Sequence, residues 1–191
     1  MLGLILGLAL FLGIHSLRLF APTWRAAQIA KMCEMPWKGV YTVASFIGLG
    51  LIIWGFGQTR LDPQVLWQSP RWTRHITALL MLASMVLLVA AYVPRNLIKA
   101  RLGHPMLLGT KTWAFAHLLS NGRLADVLLF GGFLTWAVLM FISCRRADRA
   151  AGVRAPGSVA GRTALTVGLG VVVYGLFAFV LHAWLFGIRP F

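Results

Sequence analysis

The chain has 191 residues, 59% of them hydrophobic and only 12% charged, with a mean hydropathy of +0.80. Soluble domains are roughly half apolar and about a quarter charged, so lipid is the solvent this composition suits. A net charge of +14 would suggest nucleic acid in a soluble chain, but here the basic residues lie in short loops between apolar runs. They act there as topology determinants, and no nucleic-acid partner is expected.

Residues 1–17 form the first apolar run of bilayer length. The first basic residue is Arg18 and no small-x-small cleavage site follows cleanly, so the run reads as a retained span and not a signal peptide. In 18–39, Pro22 suits a first helical position, and Trp24, Ile29 and Met32 alternate with Arg25 and Lys31. That pattern predicts an interfacial amphipathic helix. Residues 40–57 and 76–93 are the next apolar runs, and 95–102 predict a second short surface helix stopped by Gly103. Segment 105–120 is shorter and contains Lys111, and the runs 124–143 and 164–187 complete the set. Between the last two, 149–162 is rich in Ala, Gly and Arg and reads as a mobile cytoplasmic linker.

Whether 105–120 crosses the bilayer is decided by its effect on charge. With five spans the basic residues divide ten to eight, which gives no bias. With six spans, loops 18–39, 94–104 and 144–163 share one side and carry twelve basic residues. Five remain opposite (Arg60, Arg71, Arg74, Arg123 and Arg189), with Lys111 inside the bundle. Six spans obey the positive-inside rule and place both termini on the periplasmic side of a bacterial inner membrane. The expected fold is therefore all-α, a polytopic transmembrane helical bundle of about six spans in a single domain, 1–191.

Chemistry-bearing residues are few. Cys33 and Cys144 lack metal-ligand spacing and read as reduced and structural. The acids Glu34, Asp62, Asp126 and Asp148 are scattered, which argues against paired-carboxylate catalysis and carboxylate-held metals. Five histidines remain. His15 ends an i, i+4 series through Gly3, Gly7 and Phe11, His117 follows Gly109 and Trp113 at fours, and His182 follows Gly168 and Gly175 at sevens. Small residues at that spacing permit close helix approach, so all three are expected to face inward. His75, beside Arg74 at a span start, reads as interfacial. For any one of these imidazoles a plain interhelical hydrogen bond competes with a ligand role. Three inward histidines in so acid-poor a bundle favour haem, whose axial ligands are commonly His from facing helices.

The string Gly103-His104-Pro105-Met106, with Gly109, Trp113, His117 and Asn121-Gly122, resembles the HPxxxGxxxWxxxH core of the NnrU family, which the plant 15-cis-zeta-carotene isomerases share. His15-Ser16 resembles that family's His-Ser pair. The resemblance implies haem b with His15 and His117 as axial ligands, Gly109 and Trp113 beside the cofactor, and His104 as a structural neighbour. Geometry separates His104 from His117, because thirteen helical residues span about 20 Å and turn about 140° away. His15 would lie about 21 Å below the outer surface and His117 about 8 Å, so His117 with His182 is the depth-matched alternative.

By the same resemblance the function is redox chemistry linked to nitric oxide and denitrification, extending to cis-trans isomerase chemistry on a carotenoid-like hydrophobic substrate. A second reading is a non-catalytic accessory partner of a respiratory complex, seated among membrane lipid. A third is a membrane S-adenosylmethionine-dependent methyltransferase, whose type also carries an HP-x(3)-G core. Gly103 where those enzymes have Arg, and the lack of any Glu after Glu34, count against it.

Overall fold

The computed structural model describes residues 1–155 and 157–190 and contains helices with no strand among them. Four helices are long and apolar enough to cross a membrane: α4 (Glu34–Gln58), α5 (Thr73–Tyr92), α8 (Leu124–Ala150) and the segment Ala160–Phe186, which opens with α9 (Ala160–Leu176). One further apolar helix is shorter, and a second short helix carries Lys111 and His117. These are α1 (Leu2–His15, 14 residues) and α7 (Pro105–Ser120, 16 residues), about 21 and 24 Å long against a hydrocarbon core of about 30 Å. The chain divides into two units, Met1–Trp67 with Gly122–Trp136, and Gln68–Asn121 with Ala137–Phe191.

In the first unit α1 packs along α4 through glycines on both helices. A Cβ at Gly7 would lie 2.6 Å from the Ile52 nitrogen, one at Gly48 would lie 2.9 Å from the Phe11 nitrogen, and one at Gly55 would overlap Leu4. Backbones this close gain dispersion along their whole length, which is how helices associate where no water is expelled. The short helix α2 (Leu17–Phe20) leads into α3 (Pro22–Met32), which has Pro22 at its first position and no buried residue, as the amphipathic reading of 18–39 requires. Gly122 closes the unit by accepting from the Leu66 and Trp67 nitrogens.

In the second unit α7 runs antiparallel to α5. At one end Thr77 donates to the Ala116 carbonyl and bonds the Ser120 hydroxyl, and farther along Ser84 donates to the Gly109 carbonyl at 2.8 Å. On the same helix, α9 meets α5 at Gly170, where a Cβ would lie 2.7 Å from Val86 Cα. Fully buried Asn96 caps the surface helix α6 (Leu97–Leu102) by accepting from the Lys99 nitrogen, and donates to the Ala90 and Val93 carbonyls. Gly103 stops α6 at φ +77°, a conformation that favours glycine.

Two expectations need correcting. The run 164–187 is not one regular helix: a π turn, Phe177–Leu181, separates α9 from α10 (His182–Phe186). The linker is shorter than 149–162, since α8 extends to Ala150 and α9 begins at Ala160; Pro156 lies outside the described residues.

Candidate functional site

His15 ends α1 on the face that Gly3 and Gly7 press onto α4. Its Nδ1–H donates to the Phe11 carbonyl at 2.6 Å, which leaves the ring lone pair on Nε2. The ring stacks on Phe11 at 4.2 Å, with Tyr41 at 5.1 Å and Trp136 edge-on at 6.1 Å, centroid to centroid. Phe133 lies 5.8 Å from Phe11 and extends the aromatic wall. Trp136 Nε1–H is buried with no acceptor among the described residues. A separate apolar groove of about 390 Å³ lies on the neighbouring face of α1, along Leu8, Leu12, Ser16 and Phe20, and His15 does not line it.

Elsewhere in this unit Arg123 makes a paired contact to Asp126, which is only 1% exposed, and its guanidinium lies 5.5 Å from the Phe56 ring. The adjoining carboxylate raises the guanidinium pKa further, against the opposing effect of burial. Two of the scarce charges are thereby committed to structure.

In the second unit Gly109, Trp113 and His117 fall together on α7, as their spacing by fours requires. A Cβ at Gly109 would lie 2.9 Å from Leu88, and Trp113 packs on the cluster of Met81, Met85 and Ala116. His117 Nδ1–H donates to the Trp113 carbonyl at 3.0 Å, again placing the lone pair on Nε2, and its ring lies 5.5 Å from Trp113. Asn121 caps this end of α7 by donating to the His117 carbonyl.

His104 is set apart from that face. It precedes α7, and its Nε2 lies 2.8 Å from Asp148 Oδ2, with the two side chains 28% and 27% exposed. Asp148, which the sequence offered only as one scattered acid, is therefore part of a defined pair. Its partner lay 44 residues away, and no local spacing pointed to it.

His182, expected to face inward, is half-buried, with the Phe177 and Phe186 rings at 6.0 and 5.0 Å centroid to centroid. Gly168 and Gly175, the small-residue seam that was to turn it inward, meet no atom within 4 Å among the described residues, whereas Gly170 makes the close approach. His182 follows the π turn, which shifts the helical register, and its Nδ1–H donates to the Ile188 carbonyl at 2.7 Å in an exposed bond. His75 is exposed at the start of α5, where an interfacial residue belongs.

Among the described residues no group of three His, Cys, Asp or Glu converges on one point. The metal-capable side chains described above are single imidazoles set among aromatic and aliphatic side chains.

A family model described as NnrU protein matches residues 3–190. No curated protein and no solved structure matches the chain.

Proposed function

Because the chain belongs to the NnrU family, we propose that it is a haem b-binding integral membrane protein serving redox metabolism linked to nitric oxide and denitrification. One observation carries this reading: His15 and His117 each direct Nδ1–H at the carbonyl four residues back, which fixes Nε2 as the basic nitrogen. That is the tautomer in which a histidine ligates a metal, its other nitrogen held by a carbonyl.

The donor set fits the cofactor. Haem brings four equatorial nitrogens of its own and asks the chain for one or two axial ligands, which suits isolated histidines. In this reading His15 and His117 would hold the iron, Gly109 and Trp113 would form the wall beside His117, and His104 steadies the start of α7 through Asp148. The bound group would supply one-electron exchange. The chain contributes the imidazole tautomers, the aromatic surroundings of His15 and a buried indole N–H at Trp136. Isomerisation of a carotenoid-like substrate belongs to the same proposal as one outcome of that redox chemistry.

We also propose that the chain lies in a bacterial inner membrane with six crossings, α1 and α7 included, and periplasmic termini. The antiparallel run of α7 beside α5 supports this, as does the twelve-to-five charge bias. An accessory role in a respiratory complex is the second reading, favoured by the open glycines Gly168 and Gly175, where another helix could approach closely.

The absorption spectrum of the detergent-purified protein, with pyridine haemochrome analysis, tests the main proposal. A haem b spectrum that is lost or altered by His15→Ala and by His117→Ala, and kept in His75→Ala, is the expected result. A purified protein with no haem band after expression with ample haem precursor overturns it. Loss on His182→Ala, with His15→Ala unaffected, would move the ligand set to His117 and His182.

A further inference from the structure

Counting along the sequence, the second unit holds twelve Lys and Arg but one acid, Asp148. That acid is already engaged by His104. The unit therefore cannot neutralise itself, and its counter-anions must come from outside the chain.

The imbalance has a definite location. Lys111 lies within α7, part-buried, and its ammonium stands 4.7 Å from the centre of the Phe141 ring. No carboxylate lies within ion-pair distance of it among the described residues. The same ring meets His104 edge-on at 6.3 Å. One turn farther along α8 the Arg145 guanidinium lies against Gly103, where a Cβ would stand 3.1 Å from Nη1 and 3.8 Å from Asp148 Oδ2. Phe141 and Arg145 are four residues apart on α8, about 6 Å of helix rise, and His104, which meets Phe141, follows Gly103 directly, so Lys111 and Arg145 flank the same corner of the unit. Val159 N donates to the Arg95 carbonyl and Leu97 N to Thr163 Oγ1, which brings the start of α9 to the surface helix α6 at this end of the unit.

An ammonium inside an apolar helix is costly unless it reaches an anion or the interface, and a lysine stem buries its methylenes while its head extends to the headgroup level. We infer that Lys111 and Arg145 form a binding site for the phosphate of an anionic phospholipid. Phe141 forms its floor and the His104–Asp148 pair its edge. Lys111 supplies a compact charge and Arg145 a planar donor fork, and the acyl chains lie along the apolar flanks of α7 and α8. The site is independent of haem.

The test uses the full chain in phosphatidylcholine nanodiscs with and without phosphatidylglycerol, with lipid retained after release into detergent counted by native mass spectrometry. The wild type should keep phosphatidylglycerol over phosphatidylcholine. Lys111→Gln and Arg145→Gln should each weaken retention about fivefold, the weight of one cation at an anionic surface. Lys111→Arg should restore it, and Arg71→Gln, at the far end of α5, should have no effect. Circular dichroism shows whether each variant keeps its helices, and the Lys111→Arg result decides the case if Lys111→Gln does not fold. Equal retention by Lys111→Gln and the wild type would overturn the site, as would equal loss in Arg71→Gln or equal retention of phosphatidylcholine. Displacement of the lipid by millimolar inorganic phosphate would also overturn it, assigning the two cations to the free ion.

Discussion

The imidazole of His104 and the carboxylate of Asp148, 44 residues apart, meet at 2.8 Å and tie the start of α7 to the last turns of α8. Both side chains are more than a quarter exposed, so solvent screens the pair, and its coupling should be modest, about 0.5–1 kcal/mol. His104→Ala and Asp148→Asn should each lower the unfolding temperature in detergent, and the double variant should be no worse than the more damaging single one. Strictly additive losses would mean that the two residues act separately.

Asn96 carries more weight because it is fully buried and serves two elements. Its amide donates to the carbonyls that end α5 and its oxygen caps α6. Asn96→Ala leaves those carbonyls and the Lys99 N–H without their partner and should cost about 2–3 kcal/mol. Proteolysis at the 93–103 corner should accelerate accordingly. An unchanged cleavage rate would show that water replaces the side chain without penalty.

Glycine position separates close approach from open surface. Gly7→Leu and Gly55→Leu drive side chains into the α4 and α1 backbones and should abolish stable folding of the first unit, a loss of more than about 3 kcal/mol. Gly168→Ala and Gly175→Ala meet open space and should be neutral or slightly stabilising, because Ala is the better helix former. Tryptophan fluorescence during thermal unfolding distinguishes the two pairs. A large loss from either α9 substitution would point to a partner helix on that seam and favour the accessory reading.

These outcomes mark what the sequence could and could not convey. Apolar runs, the Pro22 start and the Gly103 stop depend on local chemistry, and each appears in the structure within a few residues. The face shared by Gly109, Trp113 and His117 was legible because it follows from helical period alone. The face of His182 cannot be read from helical period alone, because a π turn adds a residue to the period and no residue type in Phe177–Leu181 announces one. Asp148 beside His104, Phe141 beneath Lys111, and Tyr41 and Trp136 around His15 are contacts between helices distant in sequence. A single chain read without its fold has no means of pairing them.

Trp136 provides the most direct check on a bound group beside His15. Its indole ring contacts the imidazole edge-on, while its N–H is buried with no acceptor among the described residues. A buried unsatisfied donor costs about 1–3 kcal/mol. In the haem-free chain, Trp136→Phe removes that penalty but leaves a smaller ring, and the two effects should nearly cancel. Stability should then stay within about 1 kcal/mol of wild type. If the N–H serves a bound group, the same substitution should weaken haem retention during dilution and shift the absorption maximum, because the lost donor affects the loaded protein alone. Thermal unfolding of both forms, read beside the spectrum, separates the cases. A variant that destabilises the haem-free chain strongly while leaving the spectrum and retention unmoved would show that Trp136 serves packing only, and the donor at His15 would lose its place in the proposed site.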